Sequence, residues 1–169
     1  MKHKQSVTVR GEEEAVDSYY SRIFLEKNIG EFSESALRIE ARSTMKAYTD
    51  ASVDCVVLEM LLNRVYEYEQ LLEEAKRILT RGGMLLCTLS SIAPKLHQEE
   101  HLWGFTVASA QYIFEKHFGS TNVQIASFGN VFSGRMLLEG FPAVQLRQEE
   151  LEYVDPFFPV VIGVSVKKE

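Results

Sequence analysis

The sequence predicts an α/β fold, in three layers: a mostly parallel sheet of six or seven strands with helices on both faces, and an antiparallel strand at the carboxyl end. Three observations carry this. Val53–Leu58 and Met84–Leu89 are short apolar runs, the first broken only by Asp54, as expected of strands buried on both faces. Between them Glu67–Leu79 is amphipathic, with Leu71, Leu72, Ala75, Ile78 and Leu79 on one face and Glu and Lys opposite. From Ala36 onward the order is strand, strand, helix, strand, helix, strand, helix, strand, and such alternation implies crossover units packed on a sheet.

Each element has its own local reason. Gln5–Val9 alternates polar and β-branched residues and predicts a short strand. Glu12–Lys27 predicts a helix, because Val16, Tyr19, Tyr20, Ile23 and Phe24 recur at helical spacing and acids crowd its first turn, with Asn28 and Gly30 as stop signals. Leu37–Ala41 alternates and predicts a strand, and Ser43–Ser52 a loop or short helix. Gly82 and Gly83 are read as the stop of the amphipathic helix, since glycine enters the left-handed region at little cost. Thr106 is a good N-cap for a helix over Val107–His117. Val123–Phe128 and Val160–Val166 predict strands, with a short helix over Asn130–Gly140 between them, and this closing pair fits an antiparallel hairpin at a sheet edge.

The chain has 169 residues, 46% of them hydrophobic, which suits one soluble domain with a real core. Residues 1–35 form a reduced strand-helix unit and residues 36–169 the main α/β body. Lys and Arg number 18 against 24 Asp and Glu, a net charge of −6 with no basic cluster, which disfavours nucleic acid as the main partner. No run approaches 18 apolar residues, so no membrane span is expected, and the start lacks the apolar core of a signal peptide. Cys55 and Cys87 sit inside apolar runs and read as buried free thiols in a cytoplasmic protein. His97, Glu100 and His101 spell an HxxEH pattern, but that zinc motif needs a helix carrying both histidines, and this segment follows Pro94; no metal is expected.

The stretch Ser52–Cys87 carries a longer pattern. A serine, a hydrophobic residue and an aspartate open a buried strand; a turn, an amphipathic helix, Arg77-Ile78-Leu79 and a Gly-Gly pair then lead into another strand. Asp54, Leu62, Val65, Arg77, Ile78, Leu79, Gly82 and Gly83 fall in step without a gap with the run joining the fourth to the fifth strand of class I S-adenosylmethionine-dependent methyltransferases. The chain resembles that family, of the type 11-like kind, from Ala36 to Lys167. His97–Thr106 (HQEEHLWGFT) and Ser127–Asn130 (SFGN) also resemble segments of methyltransferases acting on small molecules or glycans.

The resemblance implies a Rossmann-like methyltransferase sheet, here reduced at its amino-terminal side, and it implies site residues. Glu40, with Ala41 beside it, closes a third strand where the family often places an acid that accepts from the adenine amine. Glu59, Met60 and Leu61, just past the fourth strand, line the family's cofactor pocket and catalytic face. Glu59 and His101 are candidate bases, and His97, Trp103 and Phe105 candidate substrate-pocket residues. Trp103 and Phe105 fit packing at least as well, since aromatics bury large area in either role.

The departures bear on activity. The family holds its cofactor on a GxGxG-type loop after the first strand, where only glycine lets the backbone come close. The one early candidate, SVTVRGEEEA, has a single glycine, Gly11, followed by three glutamates that repel a cofactor carboxylate. Two strand-helix units precede the family's third strand; only one precedes Ala36. Arg64 stands where the turn has histidine, and Arg81 where proline precedes the glycines. Two functions follow as expectations. One is a degenerate methyltransferase-like domain serving as scaffold, regulatory subunit or interaction module, with no cofactor and with a homodimer or partner protein covering exposed sheet surface. The other is an active methyltransferase of a small metabolite or sugar, using S-adenosylmethionine and completed by another subunit or a swapped segment.

Overall fold

The computed structural model describes residues 14–32, 34–39, 45–92 and 101–169. The expected strand Gln5–Val9, Gly11, Glu40, Ala41 and His97 lie outside the described residues. Within them the chain forms α1 (Val16–Ile29), β1 (Leu37–Arg38), β2 (Val53–Glu59), α2 (Tyr68–Ile78), β3 (Leu79–Ser90), α3 (Val107–Phe118), β4 (Val123–Phe128), α4 (Val131–Leu138), α5 (Gln148–Glu152) and β5 (Val161–Lys167). Five strands make one sheet in the order β1-β2-β3-β5-β4. The first three pair in parallel, and β5 runs antiparallel to both β3 and β4, so four strands point one way and one the other.

Alternation along each strand sorts side chains to two faces. Val56, Leu58, Leu85, Cys87 and Leu89 point to one face and bury under α2 and α3, through Leu72, Ala75, Ile78, Ala110 and Phe114. Cys55, Val57 and Leu86 point to the other face and bury under α1, through Phe24 and Leu25. A helical layer on each face makes three layers, as expected. Both thiols are free and buried.

α1 begins at Val16, later than the acid-rich start suggested, because Ala15 stays extended and bridges to Pro142; it ends at Gly30, whose φ is +46°. α3 is capped as predicted, with the Thr106 hydroxyl accepting from the Ser109 N–H. α4 is capped by Asn130 in the same way, and the Asn130 amide also donates to the carbonyls of Glu150 and Tyr153.

Two expectations need correction. α2 does not run to the glycine pair: it stops at Ile78, and Leu79 is already extended and paired with Val53. Gly82 and Gly83 lie inside the 12-residue β3, where they form a wide bulge between the Val53–Leu79 and Cys55–Met84 pairs. Gly82 takes φ +80°, and a Cβ on Gly83 would stand 2.9 Å from the Thr80 carbonyl. The bulge brings Lys168 alongside, with Gly82 N–H donating to its carbonyl and its own N–H donating to Gly83. The left-handed preference of glycine was read correctly; it serves a bulge here instead of a helix end.

The second concerns β1. It pairs directly with β2, Leu37 opposite Val56 and Arg38 opposite Val57, and the Ile39 N–H continues the ladder to Val57. In a doubly wound sheet of order 3-2-1-4-5-6 the fourth strand neighbours the first. If β2 is the fourth strand, Leu37–Arg38 fills the slot of the first strand, not that of the third.

Candidate functional site

Ligands of open α/β sheets gather outside the carboxyl ends of the strands, where the strand order reverses. Among the described strands the order β1-β2-β3 shows no reversal, but a cleft of about 380 Å³ opens at the carboxyl ends of β1 and β2, beneath α1. Glu59, the last residue of β2, and Arg38, the last of β1, line its floor. Glu14, Ser18, Arg22, Leu25 and Glu26, before and along α1, line its roof.

The cleft is built from charges that answer each other. The Arg22 guanidinium donates to both oxygens of Glu14, at 2.8 and 3.0 Å, and reaches Glu26 at 3.3 Å. Arg38 lies 3.5 Å from Glu59. Ser21, fully buried on the inner face of α1, donates to the Glu59 carboxylate at 2.8 Å, and its oxygen is 2.9 Å from the equally buried Thr88 hydroxyl. Three carboxylates and two guanidiniums leave a net charge of −1 among the lining residues, and none of these residues is a glycine. Small-molecule sites are more often mainly apolar with a few polar groups.

Beyond Glu59 the chain turns sharply. Met60 takes φ +50°, in the left-handed region that a long side chain seldom occupies. Thr88 holds the turn from below, with the Met60 N–H donating to its carbonyl and hydroxyl. Arg64 holds it from above, its guanidinium donating to the carbonyls of Met60 and Glu59 at 3.3 Å. Arg64, set where the sequence resemblance would place a histidine, is thus a clamp on the backbone. Leu61 is fully buried in the core under α2 and α3, so its side chain does not reach the cleft.

A second corner forms around His101. Asn63, wholly buried, ties three segments: its side-chain N–H groups donate to Ser90 and Trp103 carbonyls, its side-chain oxygen accepts from Ser90, and its backbone carbonyl accepts from Leu102 and Trp103. The His101 ring nitrogen Nε2 makes a looser 3.3 Å contact to the same amide. Burial holds His101 below its ordinary pKa, partly offset by the charge of Asp17 and reinforced by Arg64. Burial in turn raises the carboxyl of Asp17, in the first turn of α1, against two backbone hydrogen bonds and the pull of His101.

The two candidate bases have different partners: Glu59 is held by Ser21 and Arg38, His101 by Asn63. Trp103 donates its indole N–H to the Val65 carbonyl and sets its ring edge-on to Tyr68 at 5.7 Å, leaving the side chain 40% exposed. Phe105 is buried against the same Tyr68. Sequence reasoning missed Asp17, Ser21, Asn63 and Thr88; for Asn63 and Thr88 the available signal was a polar residue set into an apolar run, and for Asp17 and Ser21 there was none. Among the described residues no group of three or more His, Cys, Asp or Glu is arranged to hold a metal ion, and no helix is long and apolar enough to cross a membrane.

The family model described as a methyltransferase domain matches residues 13–87. Among solved structures, a SAM-dependent methyltransferase of Thermotoga maritima, described as a possible histamine N-methyltransferase, superposes with a TM-score of 0.51 at 17% identity. The match covers 79% of this chain and 63% of that one, so this chain spans less than two thirds of it. Phosphoethanolamine N-methyltransferase 2 of Haemonchus contortus, solved with S-adenosyl-L-methionine, gives 0.47 at 13% identity, over 72% of this chain and 34% of that one. A SAM-dependent methyltransferase of Mesorhizobium loti gives 0.42 at 13%, over 78% and 68%. No curated protein sequence matches the chain.

Proposed function

We propose that this chain, a class I S-adenosylmethionine-dependent methyltransferase-like protein by its match over residues 13–87 and by its fold, works as an interaction or regulatory domain whose cleft does not take the cofactor unaided. The observation that carries this reading is the closed charge network of the cleft. A cofactor entering there meets Glu14 and Glu26 around Arg22, and Glu59 around Arg38. To bind, it has to part these pairs, which are partly exposed and worth about 1 kcal/mol or less each, and its own carboxylate meets three carboxylates against two guanidiniums. No glycine in the lining lets backbone donors approach its methionine and ribose parts.

A second reading, an active methyltransferase of a small metabolite or sugar completed by another subunit or a swapped segment, is favoured by the His101 corner. An imidazole kept neutral by burial beside Asp17 is a competent acceptor for the proton released when an oxygen or nitrogen nucleophile takes a methyl group. In that reading His101 or Glu59 is the base. Trp103, Phe105 and His97 shape the substrate pocket, Glu40, Ala41, Glu59 and Met60 contact S-adenosylmethionine, and transfer is aided chiefly by orientation.

One measurement decides between them. A ligand at a hundredfold excess over its Kd stabilises a fold by roughly 2.7 kcal/mol. Melting with and without millimolar S-adenosylhomocysteine is expected to show no shift. A rise of several degrees, lost in Arg38→Ala, would overturn the interaction reading in favour of cofactor binding.

A further inference from the structure

The cleft and the His101 corner share one wall, the turn over residues 59–65, and a line of hydrogen bonds runs to that turn from the cleft side. The Glu59 carboxylate accepts from Ser21 at 2.8 Å, and the Ser21 and Thr88 oxygens stand 2.9 Å apart. The Met60 N–H is shared between the Thr88 carbonyl, at 3.0 Å, and the Thr88 hydroxyl, at 3.2 Å. Ser21 and Thr88 are wholly buried. Each hydroxyl has one hydrogen, and a carboxylate only accepts. The Ser21 hydrogen is therefore committed to Glu59, Thr88 donates to Ser21, and the Thr88 lone pairs are left for Met60. The line runs in one direction, and Glu59 sets it.

The turn it reaches is strained. Met60 sits at φ +50°, a region that costs a residue with a side chain and persists only where neighbours hold it. Three residues on, Asn63 carries the corner. Its amide donates to the Ser90 and Trp103 carbonyls, and its backbone carbonyl accepts from Leu102 and Trp103. The Val65 carbonyl accepts from the Trp103 indole. Leu102 and Trp103 thus hang on the turn that Thr88 helps to hold. We infer that the cleft and the Trp103 surface are coupled through this line. Displacing the Glu59 carboxylate from Ser21 reverses the hydroxyls: Ser21 donates to Thr88, and the Thr88 hydrogen is turned on the Met60 N–H. Met60 then leaves the left-handed region, and the turn takes Asn63 and Trp103 with it. The inference takes the regulatory role proposed above as its premise and names how the state of the cleft reaches the surface.

Trp103 is the chain's one tryptophan and is 40% exposed, so its fluorescence reads the corner without a label. Ser21→Ala and Thr88→Val break the line at its two hydroxyls. Each is expected to shift the emission to the red and about double its quenching by acrylamide, because the corner opens locally. The double variant should go no further than either single one, since both cut one line. Glu59→Leu should match them. Glu59→Gln, whose amide oxygen still accepts from Ser21, should keep the wild-type emission. So should Arg38→Ala, which meets Glu59 from the cleft and leaves the line whole. All variants are compared well below their melting temperatures, with circular dichroism to show that each is folded; should Glu59→Leu not fold, the two hydroxyl variants carry the test. An unmoved Trp103 in Ser21→Ala and Thr88→Val overturns the coupling. A Glu59→Gln that shifts as far as Glu59→Leu overturns it too, by marking the effect as one of charge. No ligand enters this series, and the assay with S-adenosylhomocysteine reports on cofactor binding alone, so the two readings fail separately.

Discussion

At the scale of single residues, the cleft and the His101 corner are governed by groups placed against their solvation preference. Asp17 is the clearest. Burial raises its carboxyl above the ordinary value of 3.8, so the stability linked to this group is present below that value and is lost as pH rises through the folded-state pKa. At pH 7 the ionised Asp17 therefore costs stability, and Asp17→Asn is expected to raise the melting temperature there. The gain should vanish toward pH 3, where both side chains are neutral. The same substitution removes the charge that helps His101 keep its proton, so the His101 titration followed by NMR should move further down. Such residues were hard to read in advance. Glu59 could be picked out because the carboxyl end of a buried strand is a known place for ligands. Asp17 looked like one more acid in the first turn of a helix, and Asn63 like a turn residue, because what matters about each is the distant segment it meets.

Elements were legible where one local force decides them. The apolar run of β2, the Thr106 cap of α3 and the alternation of β4 each specify structure within a few residues, and each appears close to its expected bounds, while β3 contains its expected run but starts at Leu79, five residues before Met84. The bulge at Gly82–Gly83 and the slot of β1 were not legible, since both depend on which strand lies alongside. Contact between elements carries a prediction of its own. Gly163 in β5 lets α1 lie close to the sheet, and a Cβ there would fall 2.3 Å from the Phe24 ring. Phe24 is buried and has no room to retreat. Gly163→Ala is expected to destabilise by about 1–3 kcal/mol, and adding Phe24→Leu should recover part of it. A chemical denaturation series on the three variants measures both effects.

At the scale of the whole molecule, the two thiols report on the two halves of the core. Cys55 faces α1, and burial pushes its thiol up to about 11; Cys87 faces α2 and α3, and burial raises it further. Neither should react with a thiol reagent at pH 8 in the native state, because the thiolate is the reacting form. If the layers unfold as one unit, both should become reactive together along a denaturant titration. Reaction of Cys55 well before Cys87 would show that α1 lifts off while the rest of the sheet stays closed.

The sheet order has a last consequence, for the history of each molecule on the ribosome. β5 follows the other strands in the sequence, yet it is the inner strand that joins β3 to β4. Until residues 161–167 have left the exit tunnel, β4 has nothing to zip onto, and its uncharged edges stand open on both sides. The nascent chain passes through a stage more adhesive than the finished one. Truncation just before Val161 should therefore lower the soluble yield far more than truncation just after Lys167, because only the longer chain can close β4 onto β3 through β5.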